Sequence, residues 1–416
     1  MLTKTQLYII IGGGIFILVC MMAVWFLFFR PASTNVTPST TLFGTSVNNT
    51  TTATNNTSDN TAANGTLPAA QSSTQKIFEI TQGPIAGATL IQTLHPTTTL
   101  ARYINQDDGH VYDMPLDVAG AVPRVVSDVT IPGASRALWL EAGNAAILQY
   151  IDTDGTTVKS VYLGLPTATS SAQIGATRIQ FLPDNIIDIA ASPDGKSVAY
   201  LLKTSNGSDG YTARSDGTGA KKLFSLPLAQ VLIQWPATKT ILVSTKSDFN
   251  SEGMLFAVNS TSGSVAPVLY GQDLTAIADP SFTNIIYQAV SQTTNDKSTY
   301  IHQVKTGGEA PLPFNPFPEQ CIFSTATSTG MYCAAPLSYE APGFLDLWHQ
   351  GAASAADAIY SFNLQNDSAA LVAAPGSGNQ GGTASDILEM ALSPDDHYLS
   401  FTTKGSRELW GVRLTQ

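Results

Sequence analysis

Seven times along the chain, a turn built from Pro, Gly, Asn, Asp or Ser leads directly into a short run of β-prone, mostly apolar residues. The pairs are His95-Pro96-Thr97 before LARYI (100–104), Glu141-Ala142-Gly143-Asn144 before AAILQYI (145–151), and Ser192-Pro193-Asp194-Gly195 before SVAYLL (197–202). Then come Trp235-Pro236-Ala237 before TILVST (240–245), Asp279-Pro280-Ser281 before NIIYQAV (284–290), Ser328-Thr329-Gly330 before MYCAA (331–335), and Ser393-Pro394-Asp395-Asp396 before YLSFTT (398–403). Measured on residues 96, 143, 193, 236, 280, 329 and 394, the spacings run from 43 to 65 residues. A strand-rich unit recurring at about 40–50 residues is the sequence mark of a propeller blade, a small sheet that cannot bury its faces alone.

Later strands fill most units. HVYDMPL (110–116), GMLFAVN (253–259), STYIHQV (298–304), AIYSFNL (358–364) and ELWGVRL (408–414) alternate large apolar with polar residues, as a strand buried on one face does. SVAPVLY (264–270) and AALVAA (369–374) read as fourth strands, and nothing between 76 and 416 keeps a helical period for three turns. The last unit ends after a late strand, while Lys76-Ile77-Phe78-Glu79-Ile80 is extended and has no blade of its own. Adding 76–80 to the last blade would close the ring and remove an exposed sheet edge. The expected fold is therefore all-β, a seven-bladed β-propeller over residues 76–416; one mis-split unit would make it six or eight.

Composition narrows the partners. The chain carries 20 basic against 31 acidic side chains, net −11, which argues against nucleic acid because counterion displacement needs basic surface. Three cysteines are too few for a disulfide scaffold. No dinucleotide or P-loop fingerprint and no GxSxG elbow occurs, and His95, His110, His302, His349 and His397 form no HExxH or close pair. Neither cofactor nor metal is expected.

The first thirty residues are of another kind. Residues 7–29 hold no charge, and 23 residues exceed the roughly 20 that cross a hydrocarbon core. A cleaved signal peptide is the competing reading, but its apolar region should be about 7–15 residues and end in small residues. Here Trp25, Phe26, Phe28 and Phe29 fill the end, so the expectation is a retained single-pass anchor over 1–30 whose partner is the lipid bilayer. Lys4 favours a cytoplasmic N-terminus, and Arg30 works against it. In residues 31–75, Ser, Thr and Asn fill 26 positions and Asp59 is the only charge, a composition expected to stay disordered. Sequons such as Asn35-Val36-Thr37 and Asn64-Gly65-Thr66 would permit glycosylation. A neutral tether of this kind places the expected propeller outside the cytoplasm, at the cell membrane.

The Ser-Pro-Asp-Gly turn leading into SVAYLL resembles the repeat of TolB-like and WD40-like (PD40-type) propellers, although Asp396 stands where the second such turn wants Gly. FLPDNI (181–186), Cys321 with Cys333, and Trp348-His349-Gln350-Gly351 before Asp357 extend the likeness to membrane-anchored propeller proteins of bacteria. That resemblance covers about 76–416 and implies a fold but no activity.

Three features are candidates for more than architecture. A hairpin centred on Thr327 would set Cys321 opposite Cys333, with Cβ atoms about 4.5–5.5 Å apart, near disulfide range; two buried free thiols are the other reading. The longest spacing holds an insertion at 336–357 that gathers Tyr339, Phe344, Asp346, Trp348, His349 and Asp357. Aromatics on a loop suit recognition of a partner, or they simply pin the loop to its blade. Asp152-Thr153-Asp154-Gly155 opens like a calcium loop but lacks the distal ligands, and it also reads as a tight turn. The expected function is a binding or scaffolding module for envelope proteins or glycans. The alternative is a propeller enzyme of glycosidase or lyase type with carboxylates at the channel mouth.

Overall fold

The computed structural model describes residues 75–94, 97–166, 176–291, 296–338, 343–376, 382 and 385–414. The expected anchor at 7–29, and the expected linker up to residue 74, lie outside the described residues. Among those described, no helix is long and apolar enough to cross a membrane.

The described residues form seven four-stranded antiparallel sheets, which makes the ring a seven-bladed propeller. The turn-and-strand unit read from the sequence is the same piece of every blade. Thr97–Asn105, Ala145–Ile151, Ser197–Thr204, Thr240–Thr245, Asn284–Val290, Gly330–Pro336 and Tyr398–Thr403 are all second strands, each entered from the turn after its first strand. The seventh sheet runs Ile387–Leu392, Tyr398–Thr403, Leu409–Arg413 and then Ile77–Thr81, so the N-terminal strand supplies its outer edge. Ile77 pairs with Val412 and Phe78 with Gly411 in that closure.

Each seam between neighbouring blades holds its own apolar cluster. Between blades 2 and 3 it joins Ile147 and Tyr162 to Ile189 and Tyr200. Between blades 7 and 1 it joins Phe78 and Leu409 to Tyr103 and Met114. Because both faces of a blade meet a neighbour, the second strands are apolar in continuous runs, and Val198, Ala199, Tyr200 and Leu201 are all buried. Alternation of exposed with buried residues appears toward the rim. Glu252–Asn259, a third strand, alternates exposed and buried over its first half.

At the closure a glycine is needed for space. A Cβ on Gly411 would lie 2.5 Å from the Phe78 ring, which covers it. Phe78 is 3% exposed, and the Arg413 guanidinium sits 4.3 Å from its ring centroid.

Candidate functional site

The insertion of blade 6 lies between its second and third strands, on the face where the first strands begin. The sequence suggests a loop here, but Phe344–His349 forms a short helix, entered through Gly343 at φ +81°. Six residues cannot hold a helix in water, so packing and distant hydrogen bonds must do so. Leu345 and Trp348 are buried with Phe317, against Phe344 and Leu388. Asp346 accepts the backbone N–H of Phe249 from blade 4 at 3.0 Å. The Trp348 indole donates to Asp386. Lys404 of blade 7 donates to the carbonyls of Trp348 and Ala353, at 2.5 and 3.0 Å, and lies 4.1 Å from the indole centroid.

The structure thus brings Phe344, Asp346, Trp348 and His349 together on one helix and turns the aromatic pair inward. Leu347 is the large apolar side chain the helix leaves exposed, at 49%. Tyr339 lies outside the described residues. Asp357 stands apart from the helix, wholly buried at the start of the third strand of blade 6. Its Oδ2 accepts from Ile387 N at 2.8 Å and from Gln320 Nε2 at 3.2 Å, which ties blade 6 to blade 7. Burial pushes the Asp357 carboxyl up to about 7; the Ile387 hydrogen bond opposes the shift and Asp386 adds to it.

Next to the helix is a set of charges that sequence reading had not singled out. Lys297 pairs with Asp273 at 2.6 Å; its side chain is 13% exposed and that of Asp273 1%. Ser247 also donates to Asp273. Glu319 takes the imidazole of His349 at 2.5 Å and the hydroxyl of Thr275 at 3.2 Å. Burial pushes the Lys297 ammonium below the ordinary lysine value, while Asp273, Glu319 and Asp346 all pull it back up. Around the inner strands the same pairing continues: Arg136 with Asp188 at 2.7 Å, and Arg407 with Glu389 at 3.0 Å. Single Asp, Lys and Glu residues on separate elements or connections carry no local pattern, so no sequence signal joins them.

Cys321 and Cys333 face each other across the first two strands of blade 6 and form a disulfide. At the calcium-like turn, Asp154 accepts the backbone N–H groups of Thr156 and Thr157, closing a hairpin. The Thr157 hydroxyl first, and then those backbone bonds, hold its carboxyl well below the usual range. Among the described residues, no group of three or more His, Cys, Asp or Glu is placed to hold a metal ion.

No protein-family model and no curated protein sequence matches the chain. Solved structures do. An oligogalacturonate lyase in complex with manganese superposes with a TM-score of 0.53 at 11% identity, covering 83% of this chain and 95% of that one. The tricorn protease gives 0.51 at 8% identity, covering 83% of this chain and 34% of its own. At such low identity the likeness is one of fold alone, and the fold shared is the β-propeller.

Proposed function

We propose that the chain is a membrane-tethered propeller, anchored through residues 7–29 with its N-terminus in the cytoplasm, that binds or scaffolds envelope proteins or glycans outside the cell membrane. The observation behind this reading is the pairing of charge around the insertion. Asp273, Glu319 and Asp386 each have a basic or imidazole partner, so these carboxylates serve to hold the face rigid. A rigid face fixed across blades 4, 6 and 7 suits recognition, for which loops on a stiff scaffold are favoured. The test is a photocrosslinking residue at position 347 in the full-length chain, expressed in host cells, with an equivalent probe at Leu94 as control. A discrete crosslinked species at 347, absent at 94, supports the reading. Its absence at every exposed position of a folded chain overturns it.

The enzymatic reading keeps one observation in its favour: Glu319 takes the imidazole of His349 at the end of the insertion helix and acts electrostatically on Lys297, whose amine burial pushes below its usual value. Turnover of oligosaccharides by the full chain, lost in Glu319→Gln, would favour that reading over simple binding.

A further inference from the structure

On the rim of the ring, the seam between blades 4 and 5 opens into a groove of about 830 Å³. That is within the roughly 300–1,000 Å³ of small-ligand sites. Three tyrosines line it. Tyr270, on the fourth strand of blade 4, is 74% exposed. Tyr287 and Tyr300 are cross-strand neighbours in blade 5, stacked at 5.5 Å between centroids and 25° between planes. Between the two blades the backbone comes close: a Cβ on Gly271 would lie 3.0 Å from that of Ala289.

The polar lining has a definite sign. Glu252 and Glu309 contribute carboxylates and Asn250 an amide, and among the described residues no lysine or arginine lines the groove. An anionic ligand is therefore disfavoured. Aliphatic lining is confined to Ala289 and Val290, too little for the apolar anchors of a helical peptide. A proline-rich segment suits tyrosine grooves, but its prolines have no N–H to give these carboxylates. Of the donors that could serve its carbonyls, the Tyr287 hydroxyl is already donated to Glu309 at 3.0 Å, which leaves Tyr270, Tyr300 and Asn250 for them and nothing for the carboxylates. Pyranose units carry both properties the groove asks for. They have C–H faces that lie on aromatic rings, and hydroxyls at every edge that donate to carboxylates and amides.

We propose that this groove binds a neutral oligosaccharide; the proposal rests on the binding reading above and gives it a site and a ligand class. Tyr270 would be the platform, and Glu309, held by Tyr287 and by His302 at 3.4 Å, the fixed acceptor.

The test uses the full-length chain in a polyoxyethylene detergent, which carries no sugar head group. Immobilised probes are short neutral hexose and N-acetylhexosamine oligosaccharides, a uronic-acid oligosaccharide and a proline-rich peptide. Saturable binding of a neutral probe, weakened at least about fivefold by Tyr270→Ala with the unfolding temperature unchanged, is the expected result, an aromatic contact being worth up to roughly tenfold in affinity. Glu309→Gln should weaken the same probe without affecting folding, since its carboxylate is 47% exposed. Three results would overturn the proposal: no neutral probe bound, the peptide or uronate bound in preference, or binding indifferent to Tyr270→Ala. In the last case sugar binds elsewhere and the binding reading survives. If no sugar binds while position 347 still crosslinks a partner, only the groove falls.

Discussion

Trp348 and Asp386, 38 residues apart in sequence, meet in a three-centre hydrogen bond, the indole nitrogen 2.8 Å from each carboxylate oxygen. This contact holds the insertion helix of blade 6 to the connection entering blade 7. Asp386 completes its shell with Ala355 N at 3.1 Å and Lys404 at 3.7 Å.

Trp348→Phe keeps most of the ring and removes the donor. It should cost about 1–3 kcal/mol, the price of one unmet buried acceptor. Trp348→Ala, which also empties the space beside Phe317 and Leu345, should cost about 3–5 kcal/mol. Denaturant unfolding measures both. Limited proteolysis adds the location, with cleavage appearing first within 337–356. Equal resistance of that segment in Trp348→Ala and the parent would show that the indole does not hold it.

The ring closure makes a sharper prediction. Gly411→Ala sets a methyl group 2.5 Å from the Phe78 ring, and Phe78 belongs to the strand added last to the seventh sheet. The substitution should cost about 1–3 kcal/mol as overpacking. It should also raise the propensity to aggregate, because displacing Ile77–Thr81 bares the edge of Leu409–Arg413. Gly405→Ala is the control, since nothing lies within 4 Å of a Cβ there. Light scattering on heating should separate the two, and identical curves would count against Phe78 as the clasp.

The closure was legible because it follows from counting: the last unit had one strand too few, and residues 76–80 had no sheet of their own. The seven second strands were legible because each is a mostly apolar, β-prone run behind a recognisable turn. The insertion helix was not. Its six residues span less than two turns, and its stability comes from Phe249, Asp386 and Lys404, each more than 30 residues away. The three tyrosines of the rim groove were hidden for a similar reason. They stand on three strands of two blades, and only the closeness of Gly271 to Ala289 brings them together.

The disulfide of blade 6 closes a loop across a separation of 12 residues, which chain-entropy arguments value at about 3 kcal/mol. Replacing both Cys321 and Cys333 by Ser should lower stability by that order, and reductant should do the same to the parent but not to the double variant. Mass shifts on alkylating the chain taken directly from its host carry a second answer. A blocked pair indicates an oxidising compartment, as a propeller outside the cytoplasm requires; two free thiols would contradict that placement.

Asp357 sets a pH dependence of definite sign. Its carboxyl titrates near 7 in the folded chain, against 3.8 for an ordinary aspartate, chiefly because burial disfavours the charged form. Between those values the folded state holds a proton that the unfolded state has lost, so this group's contribution to stability falls as pH rises and levels off above about pH 7. Asp194, Asp209 and Asp216, held below their usual range by hydrogen bonds and nearby cations, act in the opposite sense in more acidic solution. The informative quantity is therefore the difference between the parent and Asp357→Asn. The amide can accept the Ile387 N–H as the carboxylate does, and it brings a donor to a site where Asp357 Oδ1 and Gln320 Oε1 have no partner among the described residues. The variant should be near parity at pH 4 and more stable than the parent by about 2–4 kcal/mol at pH 8, the scale of a carboxyl displaced this far. Paired unfolding curves across that range decide it. A difference that stays constant with pH would mean that Asp357 is ionised throughout and that the seam between blades 6 and 7 stabilises its charge.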